Sequence, residues 1–335
     1  MCTAVAYQTD NLYFGRTLDL ESSCQEQIVI TPRNCPISFR KAETLNKHFS
    51  IIGMAFTAED IPLYFDAMNE KGLCAAGLNF PDYAVYQPEI QGFDNIAPFE
   101  FIPWILGQCT SVDEARTMLS RMNLAELPFR EDIPLTPLHW ILSDTKSSIT
   151  VEPLSHGIKI YDNSLGILTN SPPFDWHMLH LQQFMQISQN PPVNLFSAQT
   201  EMKPYSRGMG AVGLPGDYSS SSRFIRAAFL KLNSPYFQNE TDRISQFFHI
   251  MDSVTVPQGS VRLDESKYEI TQYTSCCDTL HGIYYYTTYE NRQINGINMF
   301  HENQDSSKII CYPLKRKQQI QFQNSPSSYT KKENP

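Results

Sequence analysis

Strand-length apolar runs in this 335-residue chain come in blocks, and helical stretches separate the blocks instead of alternating with single strands. That order constrains the fold more than any other feature. Residues 2–7 read as a strand, 8–11 as a turn and 13–20 as the returning arm of a hairpin. Residues 49–56 form another apolar run, and 64–68 and 73–80 flank the turn Asn69-Glu70-Lys71-Gly72 as a second hairpin. Ser111-Val112-Asp113-Glu114 then has the form of a capping box, with a hydroxyl at the cap and a carboxylate three residues on. Val112, Ala115, Leu119 and Met122 follow at helical spacing. Residues 138–143, 149–154 and 158–161 return to strand, and 175–187, 222–232 and 244–254 read as helices. A meander over 273–277, 283–289 and 294–299 closes the pattern. Without regular βαβ units, the chain is expected to build antiparallel sheets covered by helices.

Apolar residues make up 41% of the chain, enough for a substantial core. The net charge of -9 argues against non-specific nucleic-acid binding, which needs a basic footprint. No apolar stretch approaches the roughly 20 residues that a membrane-spanning helix requires. Residues 1–10 lack the basic start and long apolar run of a secretory signal. The eight cysteines form no CxxC pair and read as reduced, mostly buried thiols. The expectation is a cytoplasmic protein with one catalytic domain over 1–323 and a mobile polar tail over 324–335.

Cys2 directly follows the initiator methionine. Aminopeptidases commonly trim methionine before a small residue, and trimming here would put a free α-amino group and a thiol on one residue. That is the logic of a nucleophile paired with an N-terminal amine. Unperturbed, the two groups titrate at about 7.7–8.0 and about 8.5, so modest tuning suffices near neutrality. The thiolate is the reactive form, which calls for a nearby cation. Read by position alone, Cys2 would be an ordinary small buried residue of the first strand.

Its surroundings change that reading. Met1-Cys2-Thr3 followed by Tyr13-Phe14-Gly15-Arg16-Thr17-Leu18-Asp19 resembles the opening of the choloylglycine hydrolase family, which contains bile salt hydrolases and penicillin V acylases. The likeness continues in order through residues 69–72, 76–81, 168–172, 213–218, 222–224 and 273–277. The resemblance implies roles. Cys2 matches the nucleophile, Arg16 the arginine that holds its thiolate, and Asp19 the carboxylate that orients the α-amino group. Asn79 and Asn170 match the oxyanion-hole residues, where losing one donor costs about a hundred- to a thousand-fold in rate. Arg223 matches a second active-site arginine. Arg16 and Asp19 stand three apart on a strand, so their side chains face opposite ways unless the strand bends; a bulge or strand end is expected near Leu18. Arg223, near a helix start that disfavours cations, calls for a buried carboxylate partner, for which Asp19 is the candidate.

Other patterns carry less. Gly208-Met209-Gly210-Ala211-Val212-Gly213 fits GxGxxG but is followed by Leu214-Pro215-Gly216, which breaks a helix. His177 and His180 could share a zinc ion, but no third ligand suggests itself. Cys276 and Cys277 are adjacent on a strand, so one of them is expected in the core. The serines at 219–222 lack a GxSxG elbow. Tyr284-Tyr285-Tyr286 reads as sheet packing, and Lys315-Arg316-Lys317 as a solvated end.

The resemblance implies a four-layer αββα sandwich, two antiparallel sheets between helical layers, with no metal or organic cofactor and a homotetrameric assembly. It implies hydrolysis of glycine- or taurine-conjugated bile salts, with the steroid in an apolar pocket walled by segments including 56–65 and 127–139. Penicillin V and acyl-homoserine lactones are the alternative substrates within the family. An inactive steroid-binding protein is the alternative from another class, and a nucleotide-binding protein using the glycine-rich loop a weaker one.

Overall fold

The computed structural model describes residues 1–133 and 135–324; the bulk of the polar segment expected to be a mobile tail, 325–335, lies outside them. From the N-terminus, β1 (Cys2–Gln8) turns into β2 (Leu12–Leu20), with Cys2 opposite Leu18 and Gln8 opposite Leu12. The chain then leaves this hairpin for a second sheet: β3 (Gln27–Thr31), β4 (Ile51–Ala58), β5 (Ile61–Asn69) and β6 (Cys74–Asn79). Next come β7 (Asp94–Ile96), α1 (Phe101–Leu106), α2 (Val112–Leu119) and β8 (Met122–Leu124). The second sheet resumes with β9 (Leu138–Ser143), β10 (Ser148–Leu154) and β11 (Gly157–Asp162). β12 (Ile167–Leu168) returns to β1. Three helices follow, α3 (Phe174–Leu181), α4 (Ser220–Leu232) and α5 (Glu240–Asp252). The chain closes with β13 (Val261–Arg262), β14 (Tyr268–Asp278), β15 (Ile283–Thr288), β16 (Asn295–Asn298) and β17 (Ile310–Pro313).

The first sheet has the order β12-β1-β2-β14-β15-β16, with β13 on β14, and the second β11-β10-β9-β6-β5-β4-β3-β17. Every pairing within them is antiparallel; β7 and β8 form a separate parallel pair. α4 and α5 cover the outer face of the first sheet, and α1 covers that of the second. The result is a four-layer αββα sandwich, as the family resemblance implied; the order of the apolar runs had pointed only to antiparallel sheets covered by helices. Both sheets are therefore covered on two faces, which is why β1 and β2 are buried nearly throughout, Arg16, Thr17 and Asp19 included. One core lies between the sheets and under α4 and α5, with Phe14, Met54, Ile141, Phe224 and Phe247 fully buried. The other joins Ile51, Ala67, Phe101, Ile105 and Leu119 beneath α1 and α2. Burial of each large apolar side chain contributes roughly 1.5–3 kcal/mol.

Several local expectations need correction. The helix expected over 175–187 ends at Leu181 and runs on only as a 3-10 turn, Gln182–Phe184. Met185 beyond it is exposed, so a further turn has nothing to pack against. The Ser111 hydroxyl caps α2 on the Glu114 N–H, but the Glu114 carboxylate reaches back to the Thr110 N–H at 2.6 Å, not to that of Ser111. Cys276 and Cys277 are both fully buried, because β14 is central in a sheet covered on both faces. Arg316 pairs with Glu26 and Glu290 instead of standing free in solvent. β3, β7, β8, β12, β13, β17 and α1 lie outside the expected elements, and Met122, expected on the helix with Leu119, opens β8 instead.

Candidate active site

Cys2 opens β1, whose neighbours are β2 and β12, and its thiol faces the space between the sheets. Arg16, on β2, is buried and projects into the same space. Its Nη2 contacts Cys2 Sγ, its Nη1 donates to the Phe65 and Gly77 carbonyls of β5 and β6, and its Nε donates to Thr17 O. The guanidinium is thus held by the second sheet while touching a thiol of the first. Burial alone would favour loss of its charge, but Cys2, Tyr273, Asp66 and Asp19 together hold its pKa above the usual arginine range.

Asn170 lies two residues past β12, and Asn79 is the last residue of β6. Each therefore stands at or just past a strand end. The Asn170 side chain is a junction. Its Oδ1 accepts from the Cys2 N–H at 2.8 Å and from Arg223 Nη2 at 2.7 Å, while its Nδ2 donates to Asn79 O at 2.7 Å. Arg223, on α4, also donates to Cys2 O, to Thr3 Oγ1 at 2.7 Å and to Tyr218 O at 3.0 Å. Burial pulls its pKa down, offset by Asp19 and Cys2 acting at longer range. The carboxylate partner expected for Arg223 is not there: among the described residues Arg223 forms no ion pair, and its acceptors are neutral oxygens.

Asp19 sits on the other face of β2 from Arg16, as strand alternation requires. Its carboxylate accepts from Thr271 Oγ1 at 2.6 Å and Thr17 Oγ1 at 3.2 Å. β2 runs unbroken; the irregularity expected near Leu18 lies in the partner strand, where β14 shifts register between Thr271 and Tyr273, opposite Asp19 and Leu18. With Met1 in place, the Cys2 nitrogen is a peptide N–H directed at Asn170, and the Met1 ammonium donates to Asp19 O at 3.0 Å and pairs with Glu269.

An apolar cavity of about 260 Å³ adjoins this cluster. Phe65 and Gly77, whose carbonyls hold Arg16, are in its wall, with Phe56, Leu63, Phe129, Ile133, Leu135 and Leu138. Both segments expected to wall the pocket, 56–65 and 127–139, contribute, the first as the β4–β5 hairpin tip. A larger cavity of about 620 Å³, lined by threonines with Arg226 and Arg292, lies on the Asp19 side, with Thr271 and Tyr218 in its wall; Cys2 itself lines neither cavity.

The structure brings together Cys2, Arg16, Asn79, Asn170 and Arg223, with Asp19 reached through Thr17, whose hydroxyl accepts from the Thr3 N–H. Sequence reasoning missed the groups that hold them. Ser220 Oγ accepts from the Asn170 N–H at 2.8 Å, His177 Nε2 lies 2.9 Å from Asn170 O, and His139 Nε2 lies 2.9 Å from Thr169 O. A zinc pair at His177 and His180 does not assemble: the first is buried against Asn170, and the second stacks on Trp176 at 4.7 Å. The glycine-rich stretch at 208–213 forms a left-handed turn and a 3-10 turn, with no strand before it and no helix opening at it.

Comparison with known proteins gives a consistent result. A profile of the choloylglycine hydrolase family, linear amide C-N hydrolases, matches residues 2–312. A bile salt hydrolase/transferase from Lactiplantibacillus plantarum is 50% identical over 95% of this chain and 98% of its own length. One from Clostridium perfringens is 42% identical over 97% of this chain and 100% of its own. The crystal structure of a mutant conjugated bile acid hydrolase from Clostridium perfringens matches with a TM-score of 0.90 at 39% identity, covering 97% of this chain and 100% of that one. A penicillin V acylase from Agrobacterium tumefaciens, 21% identical, shares the fold with a TM-score of 0.75 over 93% of this chain and 91% of that one.

Proposed function

Because the chain belongs to the choloylglycine hydrolase family of linear amide C-N hydrolases, we propose that it cleaves the amide bond of glycine- and taurine-conjugated bile salts with Cys2 as nucleophile. The observation that carries this reading is the Cys2 thiol against a buried guanidinium, beside an apolar cavity whose wall shares Phe65 and Gly77 with that guanidinium. A buried cation favours the thiolate over the thiol. The apolar, aromatic-rich wall suits a steroid's hydrocarbon body.

Removal of Met1 turns the Cys2 nitrogen, 2.8 Å from Asn170 Oδ1, into an α-amino group. The thiolate attacks the acyl carbon, and the oxyanion is stabilised by Asn170 Nδ2 and the Asn79 backbone. The α-amino group passes a proton to the leaving glycine or taurine nitrogen. A cholyl thioester remains on Cys2, and water activated by the now neutral amine hydrolyses it. Asp19 is the carboxylate that orients this α-amino group, and Arg223 holds Cys2 O and Asn170 beside it. The catalytic unit is residues 1–323, working in the cytoplasm as a homotetramer; among the described residues no helix is long and apolar enough to cross a membrane. Light scattering is expected to give four chains per particle, and a monomer would remove that part of the reading.

The test is glycine release from glycocholate, with intact-protein mass in parallel. The expected result is a chain without Met1 that releases glycine and loses that activity in Cys2→Ala. A trimmed chain inactive on glycocholate but active on phenoxymethylpenicillin would move the substrate to penicillin V.

A further inference from the structure

Arg16 is buried, yet among the described residues it forms no ion pair, and its donors go to carbonyls and to Cys2 Sγ. A buried charge needs compensation, or the arrangement is costly. The next residue after Phe65 supplies it. Asp66, on β5, is completely buried and crosses the gap between the sheets. Its carboxylate accepts from Tyr273 Oη at 2.6 Å, Tyr284 Oη at 2.6 Å and Ser275 Oγ at 2.8 Å, all on the first sheet. An ionised carboxylate is an acceptor only, which three hydroxyl donors suit; a protonated one would have to turn a donor around. Ser275 Oγ also accepts from the Arg16 N–H at 3.1 Å, so one hydroxyl separates the carboxylate from the Arg16 backbone.

The local backbone explains how β5 serves both groups. β4 and β5 slip register between Met54 and Ala55, which pair with Asp66 and Tyr64 and leave Phe65 as an extra residue. A bulge leaves its extra residue out of the ladder and re-aims the neighbouring side chains. Phe65 O is then free for Arg16 Nη1 at 3.2 Å, while Asp66 turns to the hydroxyls. Burial pushes the Asp66 carboxyl up from its ordinary value, against Arg16 and the three hydroxyls, which pull it down.

We propose that Asp66 is a positioning residue of the amidase reaction: through Ser275 and the Phe65 bulge it fixes Arg16, and as an anion it shares that guanidinium's charge with Cys2 and so sets the pH range over which the thiolate forms. The inference rests on Cys2 being the nucleophile. The charged and titratable groups facing this system are Arg16 on β2, Tyr273 and Cys277 on β14 and Tyr284 on β15 around Asp66, with Asp19 and Arg223 acting on Cys2 and its arginine from the other side.

The test follows the pH dependence of Cys2 alkylation by iodoacetamide, read by peptide mass, in the full chain and in Asp66→Asn. Asparagine keeps the shape and one acceptor oxygen but removes the anion, so the whole charge of Arg16 falls to the thiol. The midpoint is expected to move to lower pH by about 1 unit, a tenfold gain in thiolate fraction below it. An unmoved midpoint in a folded variant would overturn the proposal and leave Asp66 a tether between sheets. Should Asp66→Asn not fold, Tyr284→Phe removes one hydroxyl from the carboxylate and lets it take a proton more readily. The same downward direction is expected there, and no movement would overturn the proposal. A Cys2→Ala variant that still hydrolyses glycocholate would instead remove the underlying assignment, so the two failures are told apart.

Discussion

Asn170 shows how much one side chain can join. It accepts from the Cys2 N–H and from Arg223, and donates to Asn79 O, so it touches the first strand, a helix and the end of a second-sheet strand. Arg223 depends on a fork of donors reaching oxygens in different directions. An ammonium is a compact charge and cannot replace that fork. Arg223→Lys is expected to leave buried acceptors unpaired, at about 1–3 kcal/mol each, and to lower the urea midpoint at pH 7. Turnover of glycocholate should fall with it, because Asn170 loses its clamp. Sequence motifs pointed to Asn170 and Arg223 themselves. They did not point to the roles of Ser220, His177 or Asp66, which are distant in the chain from the groups they hold and act through side-chain hydrogen bonds that leave no periodic trace.

At the scale of elements, the β2–β14 contact is where strands and site coincide. A Cβ at Gly15 would overlap the Ser275 carbonyl and come within 3.0 Å of the Cys276 Cα. The obstacle is backbone, so neither strand can give way cheaply. Gly15→Ala is expected to cost about 3 kcal/mol or more, seen as a large drop in melting temperature, and to displace Arg16 and silence Cys2. α3 makes a different contribution. His177 stacks on Phe224 of α4 at 5.0 Å, and burial takes its pKa down to about 4. An unfolded histidine titrates near 6.5, so between those values the unfolded chain binds the proton first. The stability due to this group is therefore fully present above about pH 6.5 and is lost as pH falls toward 4, by at most about 3 kcal/mol. Urea midpoints measured from pH 7 to 4 should decline, and the decline should be shallower in His177→Gln. An equal slope in both would show that His177 takes up its proton at the same pH folded and unfolded, so that burial does not depress its pKa.

Across the whole molecule the chain weaves between sheets. β1 and β2 belong to the first, β3 to β6 and β9 to β11 to the second, β12 to β16 to the first again apart from the helices between them, and β17 returns to β3. Neither sheet is a continuous piece of sequence, and both share one core with α4 and α5. Unfolding is expected as one transition. Trp104 and Trp140 report on the second sheet and its helices, and Trp176 on α3, which packs against α4 and the β10–β11 hairpin. Fluorescence and far-ultraviolet circular dichroism should coincide in urea, and separated midpoints would show that the sheets unfold independently.

The order of apolar runs and the Asn-Glu-Lys-Gly turn were enough to determine antiparallel hairpins and helical cover, and the cysteine behind Met1 to single out a candidate nucleophile, because each depends on neighbours within a few residues. Whether Arg223 would find a carboxylate, which strand would carry the bulge near Asp19, and what would hold Arg16 were decided only in three dimensions. Those outcomes turn on residues more than fifty positions apart meeting in a dry interior. There, burial makes each unpaired polar group expensive, so the partners present in space, not those nearest in sequence, settle the arrangement.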